Sequence, residues 1–242
     1  MSSPDHDVSA AVSPDPLAAE SHTPWLHKLA MVLGVATFAL IAIGGHVTSH
    51  SAGMAVPDWP SSFGRWLLLP IHSWADLASF LEHTRRLVGA IAGLIAIGVL
   101  VAVGLRLGWG HRLTKLAVLI LAAYIIQGLM GGFRVTEGSR TLAIVHGVTG
   151  QVVLAMVIVL AAMLSPWWSR QSGGDSRARR TSTTARVLTI ILVGLFLVQL
   201  IFGAVVRHSG AAPAIPDAPF VYGGVVPPLE SGAIEQQFPI HG

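Results

Sequence analysis

The chain has 242 residues, 52% of them hydrophobic and only 11% charged, whereas soluble globular chains carry about a quarter charged residues. Because that deficit is gathered into long apolar segments, an ordinary soluble domain is excluded and an all-α integral membrane protein is expected. The 15 Lys and Arg against 12 Asp and Glu speak to topology, since no aromatic–basic interleaving marks a nucleic-acid partner, and the absence of Cys rules out disulfides and thiolate metal sites.

Residues 1–25 are polar and carry Asp5, Asp7, Asp15 and Glu20. They lack the basic start of a secretory signal peptide and read as a disordered tail. Five apolar runs follow, at Leu26–Ile43, Leu87–Leu105, Leu113–Met130, Leu142–Leu164 and Val187–Val206, each close to the roughly 20 residues of one bilayer crossing. Gly89, Gly93, Gly128, Gly150 and Gly194 inside them suit close helix packing or the approach of a ligand.

The connections alternate in charge. Nine basic residues (Lys28, Arg106, Arg112, Lys115, Arg170, Arg177, Arg179, Arg180, Arg186) fall on one side and six (Arg65, Arg85, Arg86, Arg134, Arg140, Arg207) on the other. The bias places the N-terminus in the cytoplasm. "QSGGDSRARRTSTT" at 171–184 reads as a flexible linker within a basic connection spanning 165–186.

An internal repeat supports a boundary there. "GGHVTSHSAGMAVPDWPSSFG" (44–64) and "GAVVRHSGAAPAIPDAPFVYG" (203–223) align without a gap at an offset of 159, pairing Pro57-Asp58-x-Pro60 with Pro216-Asp217-x-Pro219. Duplication of a four-helix unit explains the match. The expected organisation is a tail (1–25), a four-helix half (26–164), the linker (165–186) and one helix with its loop from a second half (187–242), which stops short of three further helices.

Chemistry collects at "EHTRRLVG" (82–89), just ahead of the second run. Helical spacing aligns Glu82, Arg85, Arg86, Gly89 and Gly93 on one stripe, with His83 on its flank. With the N-terminus inside, runs two and four both begin outside, so His146 shares the membrane depth of this cluster. A carboxylate and guanidiniums beside small residues suit a flat, propionate-bearing ligand. His146, followed by Gly147 and Gly150, suits a haem iron. Simpler readings stand beside these: Arg85 and Arg86 as interfacial anchors, His146 as a hydrogen-bonded interior residue. His46, His50 and His208 are placed in outer loops, Gln127 and Gln199 between helices as hydrogen-bonding residues, and Trp59 in a rigid turn as an interfacial anchor.

Residues 82–89, "GGFRVTEGSRTLAIVHG" (131–147), and the paired loops "AGMAVPDWPSSFG" and "VVRHSGAAPAIPDAP" together resemble the haem A synthase family, over about residues 27–242. The resemblance implies an eight-helix bundle of two pseudo-symmetric halves that oxidises a ring methyl of haem O to the formyl of haem A for terminal oxidases. One half would hold substrate and the other a b-type haem, each between paired histidines. Carried onto this chain, it implies Glu82 as the functional glutamate, Arg86 as the family arginine and His146 as an axial ligand to iron, with His83 nearby in the haem site. The family's axial histidine on the second helix falls on Arg85, and arginine is a poor iron ligand. The cysteine pair of some members falls on Val56 and Ser62. The chain therefore reads as a family member truncated after its fifth helix and lacking one axial histidine.

The resemblance further implies haem b as cofactor, haem O as substrate and haem O synthase as partner; with no nicotinamide- or flavin-like site, electrons would come from a separate donor, and the Gly and Pro usage without a transit-type Arg/Ser segment favours a bacterial plasma membrane. Without catalysis, a haem-binding assembly or carrier protein is the alternative. Whether two chains pair as a homo-oligomer to rebuild a bundle is left open.

Overall fold

The computed structural model describes residues 24–49, 53, 55–65, 76–168 and 183–209. The expected tail (apart from Pro24 and Trp25), most of the linker and the second Pro-Asp loop lie outside them. Five long helices account for most of the described chain: α1 (Pro24–Ser49), α2 (Leu77–Leu107), α3 (Arg112–Thr136), α4 (Arg140–Met163) and α5 (Thr183–Ser209). All five are long and apolar enough to cross a membrane, and a helix satisfies its own backbone there. The described residues include one isolated bridge, Ser62 to Arg65, and no strand. The protein is an all-α integral membrane protein.

Helices α1 to α4 close into a ring in which each packs on its two neighbours, α4 returning to α1; α5 lies against α4. Successive helices run in opposite directions, so the ring has two unlike ends. One holds the start of α1, the end of α2, the start of α3 and the end of α4. There Leu26, Leu33, Val99, Val103, Ile120, Val157 and Leu160 meet in an apolar core. Tight packing rather than water exclusion must hold such helices together in lipid, and Val157 Cγ1 lies only 3.8 Å from where a side chain on Gly34 would begin. The other end gathers the buried Glu82 and His83 with Arg85, Arg86 and Arg134.

Helix α2 begins at Leu77, well before the predicted Leu87. Asp76 caps it, accepting from the N–H groups of Ala78 at 3.3 Å and Ser79 at 3.1 Å. "EHTRRLVG" is thus inside the helix and not at its threshold. Helix α3 runs on to Thr136, beyond the expected Met130, and brings Arg134 into the bundle. Helices α1 and α5 likewise continue past their apolar runs, so His46 and His208 are helical and not in loops. In each case the helix outlasts its hydropathy because its polar turns, the first of α2 and the last of α1, α3 and α5, lie together at the polar end.

Candidate functional site

Glu82 is completely buried. Arg85 and Arg86 follow it by three and four positions, the spacings that bring side chains together on a helix. Arg85 Nε donates to Glu82 Oε2 at 2.8 Å and its Nη2 donates to Oε1. Arg86 Nε donates to the same Oε1 at 3.2 Å. Two guanidiniums therefore hold one carboxylate, an arrangement that makes a buried charge tolerable.

The rest of Arg86 turns to the connection between α1 and α2. Its Nη1 donates to the carbonyls of Asp58 and Ser61, both at 2.6 Å, and its Nη2 to that of Val56 at 2.9 Å. The loop is itself organised around Asp58, whose carboxylate accepts from Phe63 N at 2.7 Å, Gly64 N at 3.0 Å and the Ser61 hydroxyl. Burial would raise the Asp58 carboxyl, but the Ser61, Gly64 and Phe63 donors outweigh it and hold it down at about 2. His83, also buried, places Nδ1 3.0 Å from Ser62 Oγ. Trp59 packs against α3: a Cβ on Gly132 would lie 2.4 Å from its indole, and its ring centroid is 6.4 Å from that of Phe133. This tryptophan fastens the loop to the bundle, a role the interfacial reading did not anticipate.

Arg85 points the other way, into the bundle. Its Nη1 lies 3.9 Å from where a Gly131 side chain would begin, and His146 Cε1 lies 3.3 Å from the same point. Glycine at 131 leaves the space that the imidazole fills. The Gln127 amide sits 2.8 Å from His146 Nδ1. Turned with its NH2 toward the ring, it donates to Nδ1 and accepts from Gly150 N at 3.0 Å and from the Thr149 hydroxyl. Reversed, it donates to Thr149 Oγ1 at 2.5 Å and offers its carbonyl to a protonated Nδ1. Gln127 is the interhelical hydrogen-bonding residue expected from the sequence, and it faces His146.

Beside this pair is a cavity of about 470 Å³, lined by Thr48, Gly53, Arg134, Gly138, Ser139, Arg140, Ala143 and His208. Arg207 closes the neighbouring wall, donating to the carbonyl of Gly45 and, at 2.7 Å, to Ser49 Oγ.

The structure thus joins Glu82, Arg85 and Arg86 in one network, brings His146 up to it through Arg85, and turns His83 toward the loop. Arg134, Arg140 and His208 escaped notice as site residues. Arg134 and Arg140 registered only as topology charges, although the Gly131-Gly132 pair before Arg134 signalled close packing. Among the described residues no group of three or more His, Asp or Glu is placed to hold a bare metal ion. A macrocycle that brings its own equatorial nitrogens would ask of this end only a part-buried imidazole and cations for its peripheral acids, and both are present.

The five helices, with a buried carboxylate held by two arginines and a cationic cavity at one end, define an all-α membrane protein with a built polar site. The family model for cytochrome oxidase assembly protein matches residues 27–239. The chain belongs to this family, that of the haem A synthases. It is similar to the haem A synthase of Staphylococcus haemolyticus (22% identity over 215 residues, covering 87% of this chain and 67% of the relative). It is also similar to those of Hyphomonas neptunium (23%, covering 84% and 65%) and Symbiobacterium thermophilum (27%, covering 77% and 60%). The chain thus spans about two thirds or less of the length of these relatives. No solved structure matches it.

Proposed function

We propose that this protein binds a haem at the polar end of its bundle through His146 and serves the conversion of haem O to haem A. The observation that carries the reading is the setting of His146. It is a part-buried imidazole with an amide on Nδ1, one helical turn beyond a cavity lined by cations. When bound, the iron porphyrin supplies the redox chemistry, either as b-type cofactor or as the substrate whose methyl becomes a formyl. The chain's own residues hold and orient it. His146 offers Nε2 when the Gln127 carbonyl accepts from Nδ1–H. Glu82, held in place by Arg85 and Arg86, is the carboxylate this reading assigns to the reaction. Arg86 also binds the 56–62 loop, which shields the site.

A second reading, a non-catalytic haem-binding assembly or carrier protein, is favoured by Arg85. It occupies the position that the resemblance gives to a second axial ligand, and it grips Glu82 with two of its nitrogens. In either reading the N-terminus is cytoplasmic, the polar end faces the outer side of a bacterial plasma membrane, and 26–164 and 187–242 belong to two halves of one repeat. Haem O synthase and an electron donor are the partners, and pairing of two chains remains compatible with both readings. Cells expressing the protein and supplied with haem O decide between the two. Haem A in the extracted pigment supports the enzyme; co-purified, unchanged haem O supports the carrier. Pigment-free protein removes both.

A further inference from the structure

The cavity beside His146 has walls of one sign. Arg134 from α3, Arg140 from the first turn of α4 and His208 from α5 line it, and among the described residues no acid does. Three cationic or protonatable groups from three helices converge there, at the end of the bundle where α3 turns into α4. Arg134 is the inner wall: its Nε is buried and has no hydrogen-bond partner among the described residues. Its guanidinium stands against Gly53, where a Cβ would lie 3.2 Å from Nη2. A buried donor left unsatisfied costs free energy, so the arrangement has room for an acceptor that the described residues do not supply. Glu82 does not supply it, being taken by Arg85 and Arg86, and Asp58 is taken by its own loop.

The cavity adjoins the proposed haem position. Ala143 lines it and precedes His146 by three positions, so the two share a face of α4. The Arg86 guanidinium, the obvious partner for a propionate from sequence, is engaged by three loop carbonyls.

We infer that Arg134, with Arg140 and His208, forms the pocket that receives the propionate carboxylates of the porphyrin held at His146. The inference rests on the haem reading above. Guanidiniums recognise carboxylates through paired, charge-assisted hydrogen bonds, and the volume is in the range of small-ligand pockets.

The test is a Soret titration of the full chain in zwitterionic nanodiscs, with haem and with its dimethyl ester, which lacks both carboxylates. The wild type should prefer the free acid by roughly ten- to hundredfold. Arg134→Gln should bring the two affinities together by weakening the free acid and leaving the ester unchanged. Arg140→Gln and His208→Gln, on two other helices, should each reduce the preference, which guards against misfolding of a single variant. A preference that is absent in the wild type, or identical in all the variants, overturns the pocket while the haem reading stands. Loss of the wild-type preference on adding anionic lipid reassigns the pocket to headgroup phosphate and also overturns it. No Soret band with either porphyrin removes the haem reading and the pocket together.

Discussion

Arg85 of α2 and His146 of α4 converge on one point above the Gly131 backbone, with Arg85 Nη1 3.9 Å and His146 Cε1 3.3 Å from it. A permanent cation therefore stands opposite the imidazole, and on the proposed haem reading the iron would take one ligand from the protein. Arg85→His supplies a second imidazole on the facing helix. The expected outcome is a change of the bound haem from a high-spin to a low-spin spectrum, read by electronic absorption and electron paramagnetic resonance. The substitution also frees one oxygen of Glu82 from its partner.

The Gln127 amide matches its neighbours best with its NH2 toward His146 Nδ1, and binding iron through Nε2 requires it to reverse and accept from Nδ1–H. Gln127→Glu can only accept from Nδ1–H. It makes the imidazole a stronger donor, and the midpoint potential of the bound haem should fall relative to wild type. Gln127→Leu removes the partner, and haem affinity should weaken by about tenfold or more. Potentiometric and Soret titrations read the two effects separately.

Trp59 and Gly132 fit only together. Gly132→Ala places a methyl 2.4 Å from the indole, and the overpacking should cost about 1–3 kcal/mol of thermal stability. Trp59→Ala should relieve most of that cost in the double variant, giving a coupling energy that a mutation cycle measures directly. Additive effects would mean that the loop does not rest on α3.

The loop should also respond to acid. The Asp58 carboxyl is held at about 2 by its hydrogen-bond donors, against about 3.9 in an unfolded chain. Its contribution to stability is complete above pH about 4 and is lost as the pH falls through its folded value near 2. The melting temperature of wild type should fall toward that of Asp58→Asn between these limits, and the difference between them should be constant at neutral pH.

The helices were legible because about 20 apolar residues in a row have few alternatives, and Glu82 with its arginines was legible because i, i+3 and i, i+4 spacing fixes their common face. The ends of the helices were not. A hydropathy pattern ends at the first charges, yet α2 carries Glu82, His83, Arg85 and Arg86 within it because they pair with one another and with a loop. The partner of Arg86 also escaped sequence reasoning: backbone carbonyls leave no trace in residue identity. Arg134 escaped for a related reason. Its importance comes from what surrounds it across three helices, and the GG pair before it was the only local sign.

The most direct test is the absorption spectrum of the purified protein loaded with haem, compared with that of His146→Ala. A Soret band in the wild type that is lost or strongly weakened in the variant, while both proteins keep the same helix content and melting behaviour, is the expected result. A wild-type protein that takes up no haem, or a band that survives unchanged without His146, would contradict it.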